Sequence, residues 1–173
     1  MRPFITSASP EGLYMLDIDI TLTKIKNAAK FATRFDMKKV IVCSGKEYAT
    51  TPIEKFVELT GATQMLRRFM PGTLTNPSLP YFIEPELIII SDPEVDGQAI
   101  TEATNAGIPV IGISNTNNIT SNLDLIIPGN NRGRKALATI YWLLAREILI
   151  QKGELEEDQD MKYEIDDFET KIE

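Results

Sequence analysis

Five continuous apolar runs, separated by segments with helical spacing, constrain the fold of this chain more than any other feature. The runs fall at residues 12–18, 39–44, 86–91, 108–114 and 124–128. They do not alternate between apolar and polar residues, which is typical of strands covered on both faces of a parallel sheet. Strands and helices that alternate along a chain predict an α/β fold with a parallel sheet.

The segments between the runs carry the spacing of amphipathic helices. Apolar side chains recur three or four residues apart in stretches that begin at Leu22, Ile53, Val95 and Leu137. The combined pattern predicts a flavodoxin-like, doubly wound, parallel five-stranded sheet with helices on both faces. Two connections are unusual. Residues 115–123 are short for a parallel crossover, and residues 63–85 form a long insertion without helical spacing, which is typical of a functional loop.

The charge is divided unevenly along the 173 residues. The net charge is −7, yet acidic and basic residues balance over residues 1–150, so the excess acidity belongs to the end of the chain. Length and composition predict a single α/β domain over residues 1–152. Residues 153–173 are expected to form an acidic, disordered tail, because such a run has too little apolar surface to order itself. The body is neutral, and so the overall acidity does not exclude an anionic partner.

The composition excludes several classes of site. The chain contains no histidine, which removes Ser-His-Asp triads, Cys-His pairs and histidine-bound zinc. Its single cysteine, Cys43, lies within an apolar run and is expected to be a buried thiol in a reducing compartment. No apolar run is long enough to span a bilayer, and the N-terminus lacks an apolar secretion core. We therefore expect a cytoplasmic protein without membrane contact.

The stretch LDIDITLT, at residues 16–23, suggests a catalytic alternative. Asp17 and Asp19 follow an apolar run at a spacing of two, which on an extended chain places both carboxylates on one side. This resembles the D-x-D-x-T motif of haloacid-dehalogenase-type phosphatases, which use such carboxylates with Mg²⁺. Ser44 and Asp92 would then complete the site at the ends of neighbouring strands. The competing interpretation is that these aspartates cap helices, and the chain lacks the flap insertion of that family.

Two basic clusters stand out from the neutral body. Arg67 and Arg68 precede an uncharged loop, PGTLTNP, at residues 71–77. The second cluster consists of Arg132, Arg134 and Lys135. It lies at the start of the last predicted helix, where positive charge opposes the helix dipole. That unfavourable position indicates an anionic partner, to which the N–H groups of the helix start could also donate. A solvated helix start is the alternative interpretation.

Longer stretches of the chain resemble a known family. They are PEGLYMLDI, AAKFATRFD, KFVELTGAT, RRFMPGTLTNP, EPELIIISDPEVDGQAITEA, GIPVIGISNTN, DLIIPGNNRGRKA and IYWLLAREIL. In order and spacing they resemble the small-subunit ribosomal protein two family, in the archaeal and eukaryotic branch that includes the laminin-receptor precursor. The resemblance runs from residue 10 to residue 152 and is far more specific than a two-aspartate motif. That family usually carries a further N-terminal segment with a histidine–glycine motif, which this sequence does not contain.

The resemblance implies a structural, non-catalytic constituent of the small ribosomal subunit that supports translation and subunit assembly. The implied partners are small-subunit ribosomal RNA and neighbouring ribosomal proteins, with no membrane, no cofactor and no small-molecule substrate, and the implied location is the cytoplasmic ribosome. Hydroxyl, amide and backbone N–H groups of the 71–77 loop would contact phosphate and 2′-OH groups, while nearby arginines neutralise charge. The expected RNA contacts are Arg67, Arg68, Thr73, Thr75, Asn76, Asn130, Asn131, Arg132, Arg134 and Lys135, with Arg2 and Lys46 as secondary candidates.

Overall fold

The computed structural model describes residues 1–172. Its strands in chain order are β1 (Ile5–Ala8), β2 (Tyr14–Leu16), β3 (Val40–Ser44), β4 (Thr63–Leu66), β5 (Leu87–Ile90), β6 (Val110–Ser114) and β7 (Leu125–Pro128). Its α-helices are α1 (Ile18–Ala32), α2 (Thr50–Thr60), α3 (Gly97–Ala106), α4 (Arg134–Gln151) and α5 (Ile165–Phe168). Within this described part, no helix is both long and apolar enough to cross a bilayer.

Five strands form one parallel sheet in the order β4–β3–β5–β6–β7. This is the order of the flavodoxin-like doubly wound fold, in which the first strand of the sheet lies second from one edge. The predicted fold class is therefore confirmed. Isoleucine dominates the central strand β5, whose four side chains are completely buried because both faces of the sheet are covered.

The apolar run at residues 12–18 does not enter this sheet, and this part of the prediction was wrong. Within it, β2 pairs antiparallel with β1 in a separate two-stranded sheet. A tight turn joins the two strands, in which Ser9 donates its backbone N–H to Leu13 and Gly12 adopts a φ of 84°. Tyr14 is 60% exposed, so apolar composition does not mean burial here. The fifth sheet strand is β4, inside the segment that the sequence pattern indicated as a loop insertion.

The two faces of the sheet are covered differently. α1, α2 and α4 pack on one face, around a core in which the rings of Phe56 and Tyr141 meet edge to face with centroids 5.7 Å apart. α3 lies on the opposite face. There the 67–86 segment takes the place of a second helix by inserting Phe69 and Leu74. Helices therefore cover both faces, as predicted, but one face depends on an irregular segment for part of its core.

The acidic C-terminal segment, residues 153–172, is packed on the domain. The side chain of Phe168 is fully buried in the main core. The indole Nε1 of Trp142 in α4 donates to the carbonyl of Tyr163 at 2.8 Å, and the Tyr163 hydroxyl donates to Glu58 at 2.6 Å. These contacts dock the segment onto the domain, whereas its composition predicts a disordered tail. Net charge misleads at this point, because a few apolar side chains are enough to dock a short segment onto an existing core.

Candidate nucleic-acid interface

The carboxyl ends of the five parallel strands meet at one edge of the sheet, and the loops that follow them carry many of the predicted contact residues. Lys46 follows β3, Arg67 follows β4 and Asn131 follows β7. Asp92 and Asn118 follow β5 and β6. In open α/β sheets this edge is where ligands bind. The fold thus brings together side chains that lie as much as 85 residues apart in sequence.

A buried polar network fixes these loops against one another. The ammonium group of Lys46 pairs with Asp92 at 2.5 Å and donates to the carbonyl of Asn131 at 2.7 Å. The side-chain amide of Asn131 donates to the carbonyl of Ile113 at 3.1 Å and to Asn118 at 2.9 Å. Asn118 in turn donates to Asp92 at 3.2 Å. Because buried polar groups are costly to leave unpaired, the network holds the loops after β3, β5, β6 and β7 in a single arrangement.

Asp96 supports the same edge from the loop before α3. Its carboxylate accepts the backbone N–H of Gly45 at 2.7 Å and that of Asp92 at 3.3 Å. Burial raises the pKa of Asp96 to about 6, and these hydrogen bonds offset the burial only in part. A Cβ at Gly45 would lie 2.8 Å from the side chain of Val95, so a larger residue here would force Val95 to move. The loop after β3 is therefore held by a carboxylate that titrates at mildly acidic pH.

A short turn presents the basic cluster at the start of α4. The Oδ1 atom of Asn130 accepts the backbone N–H of Arg132 at 2.9 Å. Arg132 and Lys135 are exposed, and neither forms an ion pair within the part of the chain that the structure describes. Arg134 is partly buried and donates to the carbonyl of Thr170 at 3.4 Å. Two of the three cations are therefore free to meet an external anion.

A buried carboxylate anchors the uncharged loop at residues 71–77. Glu102 in α3 is 4% exposed and accepts the backbone N–H of Gly72 at 2.7 Å and that of Leu74 at 3.1 Å. Burial opposes its ionised form, but hydrogen bonds from Gln98, Gly72 and Leu74 outweigh burial and lower the pKa of Glu102. Charge-assisted bonds of this kind are stronger than neutral ones. The loop is therefore fixed to α3 and does not owe its shape to its prolines alone.

The predicted RNA contacts differ in their exposure. Thr73 is 1% exposed and donates its hydroxyl to the carbonyl of Met70, while Asn131 is 1% exposed within the polar network. We leave both out of the candidate surface, because buried side chains cannot reach RNA. Lys46 is engaged by Asp92. The exposed candidates are Arg2, Arg67, Arg68, Thr75, Asn76, Asn130, Arg132 and Lys135.

The exposed candidates do not form one continuous patch. Arg67 and Arg68 line a cavity of about 500 Å³ at the carboxyl edge of the sheet. Asn130 and Arg132 line a separate cavity of about 760 Å³ beside the β1–β2 hairpin. Thr75 lies in a third groove, along α3. Both basic clusters lie at the carboxyl edge of the sheet, whereas Thr75 of the 71–77 loop lies beside α3.

The two-aspartate motif lies at the start of α1, where Asp17 serves as a helix cap. Asp17 caps α1, and its Oδ1 atom accepts the backbone N–H of Asp19 at 2.9 Å. Thr21 donates to the carbonyl of Pro128 at 2.7 Å, which places the start of α1 beside the outer strand β7. Asp92 follows β5, two strands away. Among the described residues, no cluster of acidic or sulfur ligands could hold a metal ion. The helix-cap interpretation therefore accounts for Asp17.

The sequence pattern did not reveal three residues that support the site: Glu102, Asn118 and Thr170. Glu102 occupies a helix, Asn118 a polar loop and Thr170 the acidic segment, and each of these contexts normally indicates exposure. Glu102 and Asn118 also accept local hydrogen bonds, from Gln98 and Asn115. The contacts that fix the site join residues distant in sequence, at 30 residues for the bond from Gly72 and 119 residues for the bond from Thr51, and such contacts leave no local signal.

Comparison with known proteins gives matches along almost the whole chain. The family model described as Ribosomal protein S2 matches residues 82–150. Small ribosomal subunit protein uS2 of Nitrosopumilus maritimus (strain SCM1) is 75% identical over 172 residues, which cover 99% of this chain and 83% of that protein. The proteins of the same name from Cenarchaeum symbiosum (strain A) and Thermofilum pendens (strain DSM 2475 / Hrk 5) are 59% and 49% identical. Those matches cover 99% of this chain and 82% and 80% of the two proteins. The resemblance seen in the sequence motifs is confirmed, and the chain belongs to the ribosomal protein S2 family.

Proposed function

We propose that this chain is a structural constituent of the small ribosomal subunit, where it binds ribosomal RNA and neighbouring ribosomal proteins and supports translation and subunit assembly. Its place is then in the ribosomes of the cytoplasm. Family membership supports the first part, since the relatives carry the name of a small ribosomal subunit protein. The RNA contact rests on one observation, which is the pair of exposed, unpaired cations that a rigid turn holds at the start of α4.

The electrostatics of this position favour a bound phosphate. A positive side chain in the first turn of a helix opposes the macrodipole and costs roughly 0.3–1 kcal/mol. Arg132 and Lys135 lie at or beside this end of α4, and no ion pair within the described chain compensates them. Two backbone phosphates would neutralise the two cations, and the one nearer the helix start would also accept its N–H groups. The arrangement is unfavourable in isolation and becomes favourable when RNA is bound.

The polar groups behind this surface serve as a scaffold. Asp92 is engaged by Lys46, and Asp96 by the backbone of Gly45. Each carboxylate therefore already has partners that fix a loop. We propose accordingly that the chain is not an enzyme and that its buried charges position the surface that meets RNA.

The experiment is a binding measurement with archaeal small-subunit ribosomal RNA transcribed in vitro. The variant Arg132→Ala with Lys135→Ala should weaken binding about tenfold or more, and it should reduce the slope of log K against log salt by about 1.4–1.8, because two phosphate contacts no longer release counterions. The matched control is Lys30→Ala with Arg34→Ala, which removes two exposed cations from the end of α1 at the opposite edge of the sheet.

Equal affinity and an equal salt slope in the two double variants would contradict the proposed contact at α4. Thermal unfolding should be measured on both variants, since all four residues are exposed or lie at a helix end and their removal should leave the fold unchanged.

A further inference from the structure

The cavity between β3 and β4 has the shape and charge of a subsite for a single anionic group. Its volume is about 500 Å³, and it opens where these strands end at the carboxyl edge of the sheet. One wall is the loop from Gly45 to the start of α2, a second is formed by Arg67 and Arg68, and a third by Thr170. It is enclosed by three separate parts of the chain and is therefore more than a depression between two side chains.

The charge in this cavity comes from the two arginines. Both are exposed, and the structure gives neither side chain an ion pair or a hydrogen bond with the residues it describes. Lys46 also lines the cavity, but its charge is neutralised by Asp92. The carboxylate of Glu47 at the rim leaves the cavity net positive, because the arginines outnumber it. Guanidinium groups match the geometry of phosphate oxygens and bind them with two hydrogen bonds.

Thr170 closes the cavity and links it to the second basic cluster. Its hydroxyl donates to the carbonyl of Tyr48 at 3.0 Å and accepts the backbone N–H of Thr51 at 3.4 Å. Its own carbonyl accepts from Arg134 at 3.4 Å. One residue of the C-terminal segment thus connects the starts of α2 and α4, the helix ends that face this edge of the sheet.

The position of Thr170 is set by the docking of the segment before it. Phe168, two residues earlier, is fully buried in the main core. Trp142 holds the carbonyl of Tyr163 at 2.8 Å. The acidic segment therefore has a defined place beside a basic cavity, and it contributes a hydroxyl and a carbonyl to that place.

We propose that this cavity binds one phosphodiester group of ribosomal RNA, with Arg67 and Arg68 as its charged ligands and the C-terminal segment as the wall that shapes it. This rests on the proposed function and adds to it a second contact, separate from Arg132 and Lys135. A cavity of this size accepts a single nucleotide that turns out of a helix, and unpaired nucleotides are the usual targets of such RNA contacts. Thr170 is a positioning residue whose hydroxyl acts through Tyr48 and Thr51.

The test compares two variants with matched controls in the full chain, again with the transcribed ribosomal RNA. Arg67→Ala with Arg68→Ala should weaken binding about tenfold and reduce the salt slope by about 0.7–0.9, because one phosphate contact no longer releases its counterion. Thr170→Val should weaken binding about threefold with the slope unchanged, because no charge is removed, and Thr170→Ser should restore the affinity. The controls are Lys30→Ala with Arg34→Ala for charge, and Thr33→Val for loss of a hydroxyl that donates only to the carbonyl of Lys30, at the opposite edge of the sheet.

A second arm identifies the source of the phosphate. Adenosine monophosphate, titrated against the wild-type chain and followed by the NMR signals of Arg67 and Arg68, should bind at least a hundredfold more weakly than the RNA. Tight binding of the mononucleotide, with RNA affinity unchanged in the arginine variant, would overturn the assignment to RNA. Wild-type affinity for RNA in both the arginine and the threonine variants would remove the subsite while leaving the proposed function intact. Failure of the wild-type chain to bind the RNA at all would instead refute the proposed function.

Discussion

Replacing Glu102 with alanine should release the 71–77 loop from α3. In the wild-type chain this nearly buried carboxylate accepts two backbone N–H groups, from Gly72 and Leu74. Hydrogen bonds to charged groups contribute about 1.5–3 kcal/mol each, so the two together set an upper limit of about 3–6 kcal/mol. The freed loop can turn its N–H groups towards water, and we therefore expect the free energy of unfolding to fall by about 2–4 kcal/mol.

The variant Glu102→Gln removes the negative charge and keeps the size and shape of the side chain. Its amide oxygen can accept one of the two N–H groups, while its NH₂ group faces the other donor, so a cost of about 1–2 kcal/mol is expected. Gln98→Ala is the matched control. Gln98 is exposed and donates to the same carboxylate at 2.8 Å, and its removal should change the stability by less than about 0.5 kcal/mol.

Two measurements follow the Glu102 variants. Urea unfolding monitored by the single tryptophan, Trp142, reports global stability. Amide hydrogen exchange at Gly72 and Leu74 reports the loop itself, and it should accelerate strongly in the alanine variant. Folding lowers the pKa of Glu102, so its contribution is present above the ordinary value of 4.5 and is lost as the pH falls through the folded-state value. Unchanged exchange at both amides in Glu102→Ala would refute the carboxylate anchor.

Two further predictions concern Asp96 and the C-terminal segment. Burial raises the pKa of Asp96 to about 6, above its unfolded value of 3.8. The free energy of unfolding of the wild-type chain should therefore fall by up to about 3 kcal/mol as the pH rises from about 4 to about 7, whereas that of Asp96→Asn should not show this fall. Urea titrations of both proteins at several pH values measure this, and parallel pH profiles would contradict it. Phe168→Ala should detach residues 153–172, lower the free energy of unfolding by up to about 3–5 kcal/mol and expose the segment to limited proteolysis. The control is Ile172→Ala, which should have none of these effects because that side chain is 61% exposed. Equal cleavage rates in these two variants would show that Phe168 does not anchor the segment.

The sequence was sufficient to predict the parallel sheet, because burial on both faces leaves a strong local pattern. Four of the five apolar runs coincide with sheet strands, as in the Leu87–Ile90 strand. The run at residues 12–18 has the same composition but lies in a hairpin, since the five-residue connection at residues 9–13 lets it pair locally with β1. Thr63–Leu66 was missed for the opposite reason. It is a short edge strand with mixed polarity, and its pairing with β3 gives no periodic signal.

The site could be predicted only in its exposed charges. Arg67, Arg68, Arg132 and Lys135 were singled out as basic residues in a neutral body, and they are exposed in the structure. Lys46, Asn130 and Asn131 were also singled out, but as RNA contacts, whereas in the structure they form hydrogen bonds within the protein that hold the loops in place. Glu102, Asn118 and Thr170 were not singled out, because a polar side chain becomes internal only through partners that the fold brings in. Thr73 was predicted to be exposed because it lies in a polar loop. In the structure it is buried, and its hydroxyl donates to the carbonyl of Met70.

Hydrogen bonds within the protein lock the loops at the carboxyl edge of the sheet, through the side chains of Lys46, Asp92, Asn118 and Asn131. This surface is therefore preorganised, and the protein should lose little conformational entropy when it binds a partner. Under the proposed function, the ordering that association requires would then fall mainly on the RNA. We therefore expect rearrangement of the RNA, and not of the protein loops, to limit the rate of association.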